Sequence, residues 1–152
     1  VGKKGKGAAL LTFTERMTRE EIIIKIPSKH SKNVVKSLDK IERKYGKEFK
    51  KKFKTITFDN GGEFRDYKAL EKSYDGRKKE PRVQIYYAHP YRSGERGSNE
   101  NANRLIRRFI PKGTVITNIT EEYIKEIEDW MNNLLRPMFG FKSSLEMVKL
   151  AS

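Results

Sequence analysis

The sequence contains no cysteine, only two histidines and a single tryptophan. The lack of cysteine excludes disulfide bonds and thiolate metal sites, and two histidines supply too few ligands for a typical zinc site. No apolar run is long enough to span a bilayer. The basic N-terminus lacks the apolar segment and cleavage site of a signal peptide. This composition fits a cytosolic protein.

Positive charge is what the chain has in excess. It carries 34 Lys and Arg against 20 Asp and Glu, which gives a formal net charge of +14. Such an excess predicts a polyanionic partner, with nucleic acid as the leading class and an anionic membrane surface as the alternative. A length of 152 residues predicts one domain, residues 1–152, with a hydrophobic core of fair size.

The hydrophobic periodicity predicts an α/β protein. Two strands, 8–14 and 21–26, form a hairpin that Pro27 ends. The remaining predicted elements follow in chain order: a helix ending before Gly46, a strand over 54–58, a helix from about Arg65, a strand over 83–87, a basic helix from about Ser98, a helix capped by Thr120, and a final helix opened by a capping box at Ser143 and Glu146.

The first candidate functional segment follows the predicted strand 54–58. It reads Asp59-Asn60-Gly61-Gly62-Glu63-Phe64. An Asp that leaves a strand end and enters a Gly-rich turn is a common way to present a carboxylate in a cleft. The same residues also make an ordinary tight turn, so this segment alone leaves both interpretations open.

The second candidate segment is a Gly-rich polar loop that leads into a basic helix. Glu100 falls in the first turn of that helix, and Arg104 and Arg107 follow on roughly the same face. A carboxylate beside two arginines suits a site for a metal ion and a phosphate. The spacing equally suits a surface helix with ordinary Glu–Arg pairs.

The two segments together resemble the catalytic domain of bacterial insertion-sequence transposases, most closely the IS-thirty family. The resemblance rests on T-x-D-N-G-x-E-F followed by H-P-Y-R-S-G-E-R-G-S-N-E-N-x-N, and it extends to T-x-T-E-R-M-T-R, P-K-G-T-V-I and G-F-K-S-S-L-E-M-V. It therefore covers nearly the whole chain. These proteins are DDE transposases with the ribonuclease-H-like fold of retroviral integrases, so the resemblance implies a mixed sheet flanked by helices.

The resemblance assigns catalytic and metal-binding roles to two residues. Asp59 matches the second catalytic acid and Glu100 the third, with 40 residues between them. Both would bind Mg²⁺ or Mn²⁺, with two ions in the complete site. The implied reaction is cleavage of DNA at the element end, followed by transfer of the freed 3′ hydroxyl to target DNA.

The resemblance also implies a DNA-binding surface and the partners of the chain. Arg104 and Arg107 match positions where related enzymes place basic residues toward DNA, and Arg92 and Arg96 in the preceding loop are added to them. The expected partners are the terminal inverted repeats and target DNA, handled by a homo-oligomer in the cytoplasm, in association with the nucleoid.

The first acid of the family pattern has no match in residues 1–152. The family places it on a central strand just before the Gly-Lys-rich connection with which this chain opens. Asp39, the only Asp before Phe58, falls in a predicted helix, and Glu15 occupies a position interpreted as structural. We therefore expect a fragment of a longer transposase that lacks the first central strand and is inactive alone.

Two basic segments have no assigned role. The lysine run from Lys47 to Lys54 fits a solvated surface or a phosphate-binding surface. The loop 75–81 is longer than is typical of the family. Two other functions also remain open for the whole chain: a catalytically inactive nucleic-acid-binding domain derived from a transposase, and a ribonuclease-H-like nuclease without transposition activity.

Overall fold

The computed structural model describes residues 7–15, 18–58, 65–87 and 101–151. Within these ranges the chain forms helices, strands and two 3₁₀ turns, at Ile116–Asn118 and Pro137–Phe139. In chain order, the strands and helices are β1 (Ala9–Thr14), β2 (Glu21–Ile26), α1 (Ser31–Tyr45), α2 (Glu48–Lys52), β3 (Thr55–Phe58), α3 (Tyr67–Glu71), β4 (Gln84–Tyr87), α4 (101–106), α5 (Glu121–Asn132), β5 (Leu135–Arg136), β6 (Lys142–Ser143) and α6 (Ser144–Ala151).

The antiparallel hairpin of β1 and β2 lies between two hydrophobic cores. Its register pairs Leu11 with Ile24 and Phe13 with Ile22. Successive side chains of a strand point to opposite faces. Leu11 and Phe13 therefore enter one core, while Leu10 enters the other. Because both faces are covered, the strands are nearly continuous runs of apolar residues instead of alternating polar and apolar ones.

The first core joins the hairpin to α1, α2, α3 and the strands β3 and β4. Val34 and Leu38 of α1 are fully buried there. Phe49 of α2 packs on Phe53 with ring centroids 5.3 Å apart. Gly46 ends α1 with a positive φ of 54°, a conformation that glycine adopts without the steric cost of a side chain.

The second core covers the other face of the hairpin with α4 and α5. Ile106 of α4 and Met131 of α5 are fully buried in it, together with Leu10 and Ile23 of the hairpin. Thr120 begins α5 as predicted, since its side chain accepts a hydrogen bond of 3.2 Å from the amide of Tyr123. The two cores share no residue, so α1 and α4 lie on opposite faces of the hairpin.

Strands β3 and β4 form a parallel pair in which Thr55 lies beside Gln84 and Phe58 beside Tyr87. The described residues thus contain both antiparallel and parallel pairing, as the resemblance implies. The paired strands form separate two-stranded sheets. Within the described residues, no hydrogen-bonded ladder connects β1 to β3. No helix of the described residues is long and apolar enough to cross a membrane.

Most predicted elements are confirmed, but two helices are shorter than the apolar periodicity of their sequence indicates. Helix α3 is only five residues long, so Tyr67 and Tyr74 are each 45% exposed and only Leu70 enters the core. Helix α5 ends at Asn132, so Leu135 falls in β5 and is 62% exposed. In both cases the helix ends before the periodic pattern does.

Candidate active site

The strand that leads to Asp59 is held in place by the first core. Ile56 of β3 is 4% exposed and packs among the residues of that core. Phe58, the last residue of β3 and the one before Asp59, pairs with Tyr87 at the end of β4. The parallel pair thus brings the ends of two chain segments, 55–58 and 84–87, to one edge. Asp59 itself lies outside the described residues.

The helix that follows Glu100 is held in place by the second core. Ala102, Leu105 and Ile106 of α4 are all buried against the hairpin and α5. These three side chains form the apolar face of α4. Phe109 lies beyond the helix, where its ring meets that of Trp130 edge to face at a centroid distance of 4.9 Å. Trp130 is thus a packing residue. Glu100 lies outside the described residues.

Arg104 and Arg107 differ in how freely their guanidinium groups can meet a ligand. Arg104 is exposed, and its Nη2 donates a hydrogen bond of 2.9 Å to Oδ1 of Asn101, one turn earlier. Arg107 is half-buried just beyond α4, and its Nη1 donates to the carbonyl oxygens of Ile110 and Pro111 at 3.4 and 3.3 Å. Arg104 is therefore more available to a phosphate than Arg107.

The other predicted site residues cannot be placed relative to these two. Arg92, Arg96, Asp59 and Glu100 all lie in segments outside the described residues. Within the described residues, no group of three or more His, Asp or Glu is arranged to hold a metal ion. The metal site at Asp59 and Glu100 therefore remains a prediction from sequence.

Glu15 and Asp39, the two acids with a conceivable claim to the missing position, both have structural roles. Oε2 of Glu15 accepts hydrogen bonds of 2.7 Å from the amide and the hydroxyl of Thr18, which stabilises the hairpin turn. Asp39 lies in α1, as predicted, and its Oδ1 accepts from Nη1 of Arg82. These contacts confirm that Glu15 is structural.

A buried charge cluster that the sequence did not reveal links the elements around β4. Arg82 is 2% exposed and bridges Asp39 and Glu42 of α1, while its Nε donates to the carbonyl of Leu70 at 2.7 Å. Glu42 also accepts from the hydroxyl of Ser73. The cluster ties α1, α3 and the start of β4 together. Its members are up to 43 residues apart in the chain, so no local pattern could have indicated it.

A second buried polar group joins β2 to α5. The amide of Glu21 donates to Oδ1 of Asn132 at 2.7 Å, and Nδ2 of Asn132 donates back to the carbonyl of Glu21 at 2.9 Å. The Glu21 carboxyl group accepts a hydrogen bond from the Thr14 hydroxyl at 2.9 Å. Burial raises the pKa of this carboxyl group to about 7, against the smaller opposing effects of the Thr14 hydrogen bond and the nearby Arg136.

Comparison with curated proteins finds relatives that are insertion-sequence transposases. The chain is 36% identical over 149 residues to the transposase for insertion sequence element IS4351 of Bacteroides fragilis, which covers 98% of this chain and 42% of that protein. It is 30% identical to a probable transposase for the insertion-like sequence element IS1161 of Streptococcus salivarius, over 98% of this chain and 39% of that protein.

The relatives also include the transposase InsI for element IS30A of Escherichia coli, which is 27% identical over 95% of this chain and 35% of its own length. The chain thus spans about two fifths of the length of these curated relatives. No protein-family profile matches it. The homology confirms the resemblance that the sequence motifs indicated.

Comparison with solved structures supports an integrase-like fold. The chain matches a chain of the cryo-EM structure of the simian T-cell lymphotropic virus intasome in complex with the PP2A regulatory subunit B56 gamma. The match has a TM-score of 0.56 at 12% sequence identity and covers 96% of this chain and 59% of the other. At this identity the likeness concerns the fold alone.

Proposed function

Because the chain is homologous to insertion-sequence transposases, including those of the IS-thirty family, we propose that it forms part of a DNA transposase catalytic core. The observation that carries this proposal is homology over 98% of the chain at 36% identity. The proposed fold is the ribonuclease-H-like one, and the mixed antiparallel and parallel pairing of the described strands supports it. The proposed reaction is cleavage and strand transfer at insertion-sequence ends.

Two carboxylates of this chain, Asp59 and Glu100, would bind the divalent metal. Carboxylate oxygens are the ligands that Mg²⁺ and Mn²⁺ prefer, so the donor set fits these ions. Bound ions of this kind would supply Lewis-acid activation of the attacking hydroxyl and stabilisation of the leaving oxygen. The further Asp of the family pattern has no assigned counterpart in residues 1–152.

Support for this assignment comes from the anchoring of both flanking segments. Strand β3 immediately precedes Asp59 and is packed through Ile56, while α4 follows Glu100 and is packed through Ile106. Catalytic side chains require supports of this kind, since small displacements of a reacting group reduce the rate strongly. The two supports pack into separate cores, and each core contains residues from one face of the same hairpin.

The DNA partner is proposed on charge as well as on homology. A net charge of +14 favours a polyanion, and exposed Arg104 offers a guanidinium group that phosphate oxygens can contact in a bidentate manner. We propose that Arg104 contacts the phosphate backbone near the element end. Further contacts would come from Arg107, Arg92 and Arg96. Assembly on paired DNA ends, as a homo-oligomer, belongs to the same proposal.

The test is metal-dependent cleavage of element-end DNA by a polypeptide that includes this chain and an additional strand with the further Asp. We expect cleavage with Mg²⁺ or Mn²⁺ and none after Asp59→Asn or Glu100→Gln. The matched control is Glu121→Gln, an exposed acid in the first turn of α5. Retained cleavage by both acid variants would refute the assignment of these two residues.

Two other candidate functions predict different results in the same assay. An inactive DNA-binding domain would bind DNA but cleave none, even when the further Asp is present. A ribonuclease-H-like nuclease would cleave without joining the freed 3′ hydroxyl to target DNA. Gel analysis of both cleavage and joining products therefore separates the three functions.

A further inference from the structure

Two basic segments without an assigned role, the lysine run 47–54 and the loop 75–81, meet in the folded chain. A pocket of about 360 Å³ is lined by residues from both segments: Gly46, Lys47, Phe49 and Lys50 from the first, and Lys78, Lys79 and Glu80 from the second. An adjoining pocket of about 480 Å³ shares Lys50 and Arg82 with the first and adds Lys54. The folded chain therefore joins the two segments into one basic surface, defined by Lys47, Lys50, Lys54, Lys78 and Lys79.

The floor of this surface is rigid because it contains the buried charge cluster. Glu42, Ser73 and Arg82 are each no more than 5% exposed and line the first pocket. Arg82 also donates its backbone amide to the carbonyl of Glu71 at 2.7 Å, which fixes the chain where it leaves the loop. The Arg82 side chain is only 1% exposed and already pairs with Asp39 and Glu42, so a ligand would meet the lysines of the rim instead.

The loop side of the surface is held by specific contacts. The amide of Lys78 donates to the carbonyl of Asp75 at 3.0 Å, which closes a turn. Nζ of Lys50 lies 2.6 Å from Oε2 of Glu80 and links α2 to the loop across the pocket. This exposed ion pair contributes little to stability, but it shows that the two lysine-bearing segments lie in contact.

The positive charge of the surface is largely uncompensated. Within the described residues, Lys47, Lys54, Lys78 and Lys79 make no ion pair, whereas Lys50 pairs with Glu80. The positive charges of these lysines repel each other because they lie around the same pockets. A bound polyanion would offset that repulsion. Lysine binds phosphate as a compact point charge that tolerates a range of geometries, which suits a backbone read without sequence preference.

The surface is separate from the basic helix α4. It lies beside α1 and α2, which pack on the first core, whereas Arg104 lies on α4, which packs on the second. It also lies at the beginning of β3 and β4, since Lys54 precedes β3 and Arg82 closely precedes β4. Asp59 follows the opposite end of β3. A strand of four residues separates these two ends by about 13 Å.

We infer that this surface is a second DNA-binding site, which contacts the phosphate backbone of a DNA segment other than the one at Asp59 and Glu100. The inference rests on the proposed function, since it assumes that the polyanion is DNA. An anionic membrane is a weaker candidate, because membrane-surface binding usually inserts apolar side chains. Phe49 and Phe53, the aromatic residues of the two pockets, are only 2% and 3% exposed.

The test compares two triple variants of the 152-residue chain with equal charge changes. Lys47→Glu, Lys78→Glu and Lys79→Glu alter the basic surface. The control makes the same change at Lys29, Lys32 and Lys36, which are exposed in or near the first half of α1. Binding of a random-sequence duplex is measured by fluorescence anisotropy over a series of salt concentrations, with a thermal melt to verify folding.

We expect the surface variant to bind at least about 100-fold more weakly than the control at roughly 0.1 M salt. The slope of log K against log salt should also fall in magnitude by about two to three, since each lost phosphate contact removes about 0.9. Equal binding by the two triple variants, with the wild type bound, would refute the second site and leave the proposed function intact. A wild type that binds no DNA would overturn both.

A second experiment uses the wild-type chain, so its result does not depend on whether the variants fold. Lysines of the wild-type chain are acetylated with and without duplex DNA, and the products are analysed by mass spectrometry. DNA should protect Lys47, Lys78 and Lys79 more than Lys29, Lys32 and Lys36. Equal protection of both sets would overturn the inference. So would protection of the surface by anionic vesicles but not by DNA.

Discussion

Glu42 and Glu21 are buried to nearly the same extent, at 4% and 3% exposure, yet their surroundings differ. Glu42, in the first core region, lies 3.1 Å from the guanidinium group of Arg82. Glu21, which contacts α5 on the other side, accepts a hydrogen bond from Thr14, and the described residues supply it with no ion pair. Burial without an ion pair explains why the pKa of Glu21 is raised to about 7, since the more distant charge of Arg136 offsets burial only in part.

This difference assigns separate physical roles to the two sides of the hairpin. The side of α1 contains compensated charges that tie α1, α3 and β4 into a platform for the strand before Asp59. The side of α5 contains the Glu21 carboxyl group, whose negative charge is destabilised by burial. On the same side, Arg104 of α4 is exposed to solvent. The second side should therefore lose stability as the pH rises towards 7.

The largest effect is expected from removing the compensating charge on the first side. Arg82→Met would leave the Glu42 carboxylate buried without its partner, and loss of one member of a buried pair typically costs about 3–5 kcal/mol. Urea unfolding at neutral pH would measure the loss. The control is Arg77→Met, which removes an ion pair whose Arg side chain is 93% exposed and should therefore change the free energy of unfolding far less. Equal effects of the two substitutions would contradict the platform.

A smaller change in the free energy of unfolding is expected on the second side, where removal of a buried charge should stabilise the protein at neutral pH. Glu21 has a folded-state pKa of about 7, above its ordinary value of 4.5, so the folded state binds its proton more tightly. The stability that this proton contributes is present below pH 4.5 and is lost as the pH rises to about 7. The total loss is about 3 kcal/mol on the basis of 1.36 kcal/mol per pKa unit.

Glu21→Gln should remove this pH dependence, because glutamine keeps the shape of the side chain without its charge. The difference in unfolding free energy between the variant and the wild type should shift by about 3 kcal/mol in favour of the variant between about pH 4 and pH 8. Denaturant unfolding at several pH values measures it. A difference that stays constant with pH would mean that Glu21 is not the group that titrates.

The smallest effect concerns binding, and it separates the two arginines of the second side. Arg104→Ala should reduce the slope of log K against log salt for duplex DNA by about one, because exposed Arg104 can contact a phosphate. Arg107→Ala should change it less, since the Arg107 guanidinium group donates to the carbonyls of Ile110 and Pro111. A larger effect for Arg107 would reverse this order.

The local parts of the fold could be predicted from the sequence. The strand pairing of the hairpin, the end of α1 at Gly46 and the cap at Thr120 each depend on residues close together in the chain. The end of α5 could not, because the apolar pattern continues to Leu135 while the helix ends at Asn132. The contacts of Arg82 with Asp39 and Glu42 also escaped prediction, since a charge pattern does not show which distant charges meet.

For the candidate site, the sequence indicated the related proteins and the helix that bears the arginines, but not which basic side chains meet in the folded chain. The combination of two motifs indicated a resemblance to insertion-sequence transposases, and the curated relatives confirmed that resemblance. Arg104 was correctly placed on the helix after Glu100, but its spacing could not show that it is freer than Arg107. The basic surface was missed as a unit, because Lys47 and Lys78 belong to segments that meet only in the folded chain.

The distance between positions 59 and 100 tests the central claim most directly. The chain contains no cysteine, so Asp59→Cys and Glu100→Cys provide unique sites for spin labels. Two ions about 4 Å apart, each about 2.1 Å from its oxygen ligands, would bring the two carboxyl groups within about 8 Å of each other. Labels at Thr55→Cys and Gln84→Cys, which are neighbours in the ladder, give the reference for a close pair. The account predicts dipolar broadening comparable to that reference, and a spectrum equal to the sum of the singly labelled variants would contradict it.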